Sequence, residues 1–175
     1  MICEGFSYEV ICKKCQKNFL TPTLRFTNGV YSFYDYDEIE FLIKYKYHRF
    51  GNRVFKILAL NSFKLLKLQT SFCAIPIDDR PKRGYSHTAI LAKYSPFKPL
   101  FSSLHAKNDV EYAGKSLEFR LKNPRDFIYR GKKNIDVVLI DDVTTTGSTL
   151  KQAEECLKKN GVNVVFSVVL ADLKA

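Results

Sequence analysis

The sequence predicts an α/β fold, a mostly parallel sheet flanked by helices, and three features of its C-terminal third carry that expectation. Ile135 to Ile140 is a largely apolar run, as expected of a strand buried on both faces. Thr149 to Lys159 is amphipathic, with Leu150, Ala153 and Leu157 on one face, and Gly161 follows as a helix stop. Val162 to Leu170 is a second apolar strand. Strand, loop, helix and strand form a βαβ unit, whose right-handed crossover makes the two strands parallel.

The remaining elements follow from the N-terminus. Residues 1–22 hold three of the five cysteines and read as a small cysteine knuckle, with residues 23–175 as the main domain. Gly29 to Tyr34 is aromatic and strand-like. From about Asp37 to Leu68 the pattern is helical, with Ile43, Tyr47, Phe50, Val54 and Leu58 on one apolar face and Gly51 as a point of bending or division. Phe72 to Ile77 is a short strand stopped by Asp78-Asp79-Arg80-Pro81. Tyr85 to Tyr94 reads as a helix, Lys98 to Leu104 as a weaker strand, and Ser116 to Leu121 as a short helix in a polar stretch.

A chain of 175 residues, 46% hydrophobic, is long enough for one compact domain plus an appendage. No stretch approaches the roughly 20 apolar residues that span a bilayer, so no transmembrane segment is expected. Met1-Ile2-Cys3-Glu4 lacks the basic flank of a secretory signal, and the expected location is cytoplasmic. The net charge of +10 favours polyanionic partners.

The chemistry concentrates in Asp141-Asp142-Val143-Thr144-Thr145-Thr146-Gly147-Ser148-Thr149. Two carboxylates stand at the C-terminal end of a strand, where open α/β sheets bind ligands. Small hydroxyl residues then open directly into a helix, whose first amides and dipole favour an anion. Gly147 lets the backbone approach closely. Carboxylates cannot hold a phosphate, but they accept hydrogen bonds from sugar hydroxyls, directly or beside a bound metal. Acids for a diol beside a nest for a phosphate describe a ribose 5-phosphate site.

The same run resembles the 5-phosphoribosyl-1-pyrophosphate (PRPP) loop of type I phosphoribosyltransferases. That resemblance implies Asp141 and Asp142 on the ribose hydroxyls, Thr145 to Thr149 on the 5-phosphate, Thr144 within the same loop, and Mg²⁺ bound with PRPP. Purine-salvage members carry an Asp where this chain has Thr145, which argues against a 6-oxopurine substrate. Asp78, Asp79, Arg80, Lys82 and Arg83, followed by Gly84 and Tyr85, resemble the pyrophosphate loop of ComF-like competence proteins. Arg80, Lys82 and Arg83 also suit a pyrophosphate on charge alone. Ser116 to Asn123 resembles that family's Ser…Arg-x-x-Asn signature, which makes Arg120 a hood residue. The resemblance implies a factor in natural transformation acting on incoming single-stranded DNA, with a competence helicase or membrane channel as candidate partners.

Cys12-Lys13-Lys14-Cys15 is a CxxC, and without a secretory signal it reads as metal, redox chemistry or chance rather than a disulfide. The family resemblance implies zinc held by two such pairs, with Cys3 in the first and its mate falling one residue before Met1. The set Cys3, Cys12 and Cys15 is then one ligand short of a tetrahedral site. An upstream start, a histidine, a water or a partner chain would complete it; otherwise no metal binds.

From Phe41 to Ile77 there is no Asp or Glu, while Lys44, Lys46, Arg49, Arg53 and Lys56 lie within that span. Lys46, Arg49, Arg53 and Lys56 are spaced for one helical face, with Tyr45, Tyr47 and Phe50 interleaved. Cations that follow a phosphate backbone and aromatics that stack on bases suit single-stranded DNA; a solvated face over an aromatic core is the competing reading. The sequence thus predicts a PRPP-binding phosphoribosyltransferase-like protein that handles single-stranded DNA, with a non-catalytic PRPP- or nucleotide-sensing module as the alternative. His87 and His105 are the candidate general bases.

Overall fold

The computed structural model describes residues 8–68, 71–78, 80–81, 84–108 and 117–173. In chain order the elements are α1 (Lys13–Phe19), β1 (Arg25–Thr27), β2 (Val30–Ser32), β3 (Tyr34–Asp35) and α2 (Tyr36–Ile43). A 3-10 turn (Lys44–Tyr47), α3 (Gly51–Phe63), β4 (Cys73–Pro76), α4 (His87–Tyr94), β5 (Lys98–Pro99) and β6 (Leu104–Ala106) follow. The chain continues through α5 (Leu117–Lys122), β7 (Phe127–Tyr129), β8 (Ile135–Thr144), α6 (Ser148–Lys159) and β9 (Val162–Asp172).

The main sheet runs β1-β2-β9-β8-β4-β5, with β3 also paired to β9. Only β1 is antiparallel to its neighbour in this sheet. The expected α/β fold with a mostly parallel sheet is therefore present. β6 and β7 form a separate antiparallel pair.

Strand alternation divides the core into two layers. Val138 and Ile140 of β8 pack with Val54, Phe55, Leu58 and Leu91 from α3 and α4. Val137 and Leu139 face the other way, onto Leu150, Ala153 and Leu157 of α6. All eleven of these side chains but Leu150 are at most 1% exposed, as close packing against a central strand requires. Ile11, Cys15 and Leu20 belong to the α3–α4 layer, and Asn61 of α3 donates to Gln16 of α1 at 3.2 Å.

The structure corrects several boundaries. The helix expected from Asp37 to Leu68 is interrupted between α2 and α3. Ile43, Val54 and Leu58 are buried as the apolar face requires, but Tyr47 is 38% and Phe50 59% exposed, because the interruption resets the helical phase. The expected strand from Lys98 to Leu104 is two separate strands. Pro99 has no amide to continue the ladder, and Ser102 turns the chain with φ +55°. The helix expected from Tyr85 starts at His87, where the Ser86 hydroxyl accepts from the Ala89 amide at 3.1 Å. β1 was not anticipated; Asn28-Gly29, at φ +50° and +78°, is a hairpin turn pair that signals it.

Gly51 marks the closest approach in the interruption. A Cβ there would lie 1.9 Å from the Tyr85 Oη and 2.1 Å from the Tyr45 carbonyl oxygen. Gly51→Ala is therefore expected to cost about 1–3 kcal/mol of stability by overpacking. Urea denaturation reads this directly, and an unchanged midpoint would mean that the contact carries no constraint.

Candidate functional site

β8 continues beyond the apolar run and includes Asp141, Asp142, Val143 and Thr144. The connecting loop is therefore only Thr145 to Gly147, shorter than the sequence suggested. Continuing the alternation of β8 sends Asp141 toward the α6 side and Asp142 toward the α3–α4 side. Both are buried, at 9% and 6% exposure. Each carboxylate accepts the amide of the following residue, Asp142 N–H to Asp141 Oδ1 at 2.8 Å and Val143 N–H to Asp142 Oδ1 at 2.9 Å.

The two acids have different partners. The Lys46 ammonium donates to Asp142 Oδ2 at 2.8 Å, and His87 Nε2 lies 3.6 Å from the same oxygen. Burial alone would raise the Asp142 pKa, but Lys46 and then His87 outweigh it and hold the carboxyl well below the usual aspartate range. Burial pushes Asp141 the other way, reinforced by the neighbouring Asp142 charge, and the Arg125 guanidinium only partly offsets the rise. Lys46 loses solvation by burial, yet Asp142 lifts its pKa above the ordinary lysine value. The dyad thus holds one firmly ionised carboxylate and one that readily keeps a proton.

The phosphate-nest half of the site is open. Thr145 and Thr146 are exposed, and Gly147 takes φ +71°, a conformation only glycine adopts freely. A Cβ at Gly147 would meet nothing within 4 Å, so the surface beside it is clear. Gly147 is the N-cap of α6, whose first turn carries no acid. The helix therefore presents a positive end beside the Thr146 and Ser148 hydroxyls, which bond to each other at 3.2 Å. Thr149 is half-buried in that first turn.

In the basic loop after β4, Asp78 turns inward with φ +48° and a buried side chain. Its Oδ1 accepts from the Ala106 amide at 3.1 Å and from Arg80 Nε at 2.8 Å. Asp78 is thus a brace for the loop, and Arg80 presents the charge. Asp79, Lys82 and Arg83 lie outside the described residues, as do Ser116 and the side chain of Arg120.

Lys46 needs a correction. It does not share a DNA-facing helical surface with Arg49, Arg53 and Lys56; the 3-10 turn aims it at Asp142. The exposed face holds other pairs instead: Arg53 over the Phe50 ring at 5.9 Å, with Lys56 and Lys93 flanking Tyr94 at 5.4 and 5.9 Å. Arg49 is exposed in the interruption, and Lys44 bridges to Glu40 at 3.0 Å.

Ligand atoms of His87, Asp141 and Asp142 lie within 4.8 Å of one another. Two carboxylates are hard oxygen donors that suit Mg²⁺, which usually binds one or two of them together with substrate phosphates. Lys46 already occupies Asp142 Oδ2, so the set fits a cation arriving with phosphate oxygens better than a ready-made cage. In the N-terminal segment, the Cys12 Sγ caps α1 by accepting the Cys15 amide at 3.4 Å, and Cys15 is buried. Cys3 lies outside the described residues.

Comparison with known proteins places the chain beside phosphoribosyltransferases. No family model matches it. It is 33% identical over 78 residues to the adenine phosphoribosyltransferase of Campylobacter fetus, 45% of this chain and 40% of that protein. It is 37% identical over 91 residues to the adenine phosphoribosyltransferase of Mycobacterium avium, 51% and 46% of the respective chains. The chain thus spans less than half the length of these curated relatives. Among solved structures it is similar to orotate phosphoribosyltransferase from Aeropyrum pernix, with TM-score 0.41 and 21% identity over 91% of this chain and 80% of that one. Similarity to Leishmania donovani UMP synthase gives TM-score 0.45 and 19% identity, over 91% of this chain and 30% of that one.

Proposed function

We propose that the chain binds PRPP at the end of β8 as a type I phosphoribosyltransferase-like protein. The observation that carries this reading is the junction itself: a buried Asp141–Asp142 dyad near the end of a central parallel strand, which a three-residue loop joins to an open, glycine-capped helix start. The threonine loop and α6 N-terminus receive the 5-phosphate. Asp141 and Asp142 accept hydrogen bonds from the ribose hydroxyls. Arg80 and the basic residues beside it meet the pyrophosphate. Mg²⁺ held with PRPP would neutralise charge on the leaving group. If transfer occurs, an acceptor attacks the anomeric carbon and the bond to pyrophosphate breaks, and His87, 3.6 Å from Asp142 Oδ2, is the candidate to take the acceptor's proton. Adenine heads the acceptors to be assayed, because the sequence similarity is to adenine phosphoribosyltransferases.

The test is calorimetric titration of PRPP with and without Mg²⁺. Saturable binding is expected in the wild type and lost in Asp141→Ala/Asp142→Ala, with ribose 5-phosphate competing. Absence of binding in the folded wild type under both conditions would end the reading. Binding without pyrophosphate release, across an acceptor panel, would favour the sensing module.

The finer part of the proposal is a role in natural transformation, with single-stranded DNA passing over the exposed Phe50, Arg53 and Lys56 and the half-buried Tyr94. This rests on the ComF resemblance and on cations paired with partly exposed rings. Arg49→Glu with Arg53→Glu should weaken oligonucleotide binding and flatten its log–log salt dependence by about 1.4, roughly 0.7 per lost phosphate contact. An unchanged slope removes this face from the account.

A further inference from the structure

Tyr85 stands at the end of the basic loop after β4, yet its hydroxyl reaches back to a segment almost 40 residues earlier. Its Oη lies 3.0 Å from the Tyr45 carbonyl, 3.1 Å from that of Lys46 and 3.3 Å from that of His48. The Tyr45 and His48 carbonyls also accept the amides of His48 and Gly51, at 2.9 and 3.0 Å. The hydroxyl thus adds a donor where three carbonyls of one tight turn converge, the arrangement that otherwise leaves acceptors short of partners. Gly51 has no Cβ, and that absence lets the phenol sit there. The same turn carries Lys46 to Asp142.

Resting on the phosphoribosyl reading of the site, we propose that Tyr85 is a positioning residue: its hydroxyl pins the Lys46 turn to the basic loop, so that pyrophosphate recognition and the Lys46–Asp142 pair are set together. A loop holding a pyrophosphate and a lysine holding a ribose-binding carboxylate would otherwise lie on independent segments. The phenol makes them one unit, and its ring alone cannot do so, because carbonyls require a donor.

The experiment is covalent labelling of lysines in the ligand-free protein, followed by peptide mass spectrometry, in wild type and Tyr85→Phe. Lys44 and Lys56 serve as internal references, both exposed in the structure. Loss of one hydrogen bond is expected to raise labelling at Lys46 roughly three- to tenfold while the references stay level. Unchanged Lys46 labelling in a folded Tyr85→Phe protein overturns the proposal. PRPP titration is the second arm, repeated in a Lys46→Met background. Weaker binding in Tyr85→Phe that disappears when Lys46 is already absent supports the coupling; equal weakening in both backgrounds overturns it. If Lys46 labelling rises but no variant, nor the wild type, binds PRPP, the clamp stands and the phosphoribosyl reading falls. Should Tyr85→Phe fail to fold, Gly51→Ala, whose Cβ would displace the Tyr85 hydroxyl from the turn, takes its place with the same two readouts.

Discussion

Lys46→Met is expected to destabilise the folded protein by about 3–5 kcal/mol at neutral pH, the cost of leaving a buried carboxylate without its partner. Asp142 is 6% exposed, and Lys46 Nζ at 2.8 Å is its nearest cation, with His87 farther at 3.6 Å. Methionine keeps most of the apolar stem and removes the ammonium, with its charge and its hydrogen bond to Asp142. The pH dependence has a definite sign. Asp142 has a lowered folded-state pKa, so its contribution is present above the ordinary aspartate value and is lost as pH falls through the lowered one. Lys46 has a raised folded-state pKa, so its contribution is present below the ordinary lysine value and is lost only as pH rises through the raised one. The gap between wild type and Lys46→Met should therefore stay level from about pH 5 to 9 and narrow in acid. Lys46→Met with Asp142→Asn should recover most of the loss, since a neutral amide is cheaper to bury. Denaturant titrations across this pH range measure all three proteins. A gap under about 1 kcal/mol would place the pair among solvent-screened ion pairs and remove its structural role.

The parts of this molecule that were legible in the sequence are those written locally. The β8–α6–β9 unit follows from apolar runs, an amphipathic helix and a terminal glycine, and it is present with β8 four residues longer than expected and the other boundaries within two residues. The dyad and threonine loop were legible for the same reason: all their residues are contiguous. Lys46 was not, because its partner lies 96 residues away and helical spacing grouped it with Arg49, Arg53 and Lys56, on a helix in which only Gly51 signalled a division. The residues that break that helix are Tyr85, from a distant loop, and Gly51, whose significance is a close approach rather than a turn. Arg125 was similarly hidden. Its charge acts on Asp141, and its amide donates to Gln152 of α6 at 3.0 Å. A rule that buried acids require cations would have demanded such partners. Nothing in the sequence selects them from 28 lysines and arginines.

Asp141→Asn should give the opposite result in stability and the same result in function. Burial and the adjacent Asp142 charge raise the folded-state pKa of Asp141. In the unfolded chain the group ionises near pH 4, so above that pH the folded state binds the extra proton. Stability therefore falls as pH rises through the interval between the two values, by up to about 1.4 kcal/mol per pH unit for a single group, and levels off above the raised value. Asparagine carries no such penalty. The variant is expected to be more stable than wild type by about 1–2 kcal/mol at pH 8, or about 3–6 °C in melting temperature, with the difference vanishing toward pH 4. Its PRPP affinity should fall about 10–100-fold, because a carboxyl that can release its proton and accept from a ribose hydroxyl becomes an amide that cannot ionise. Thermal melts at pH 4, 6 and 8 and a calorimetric titration give both numbers. A variant less stable than wild type at pH 8 would mean that Arg125 compensates the carboxylate fully, and that the acid is held in place by structure rather than strained for a ligand.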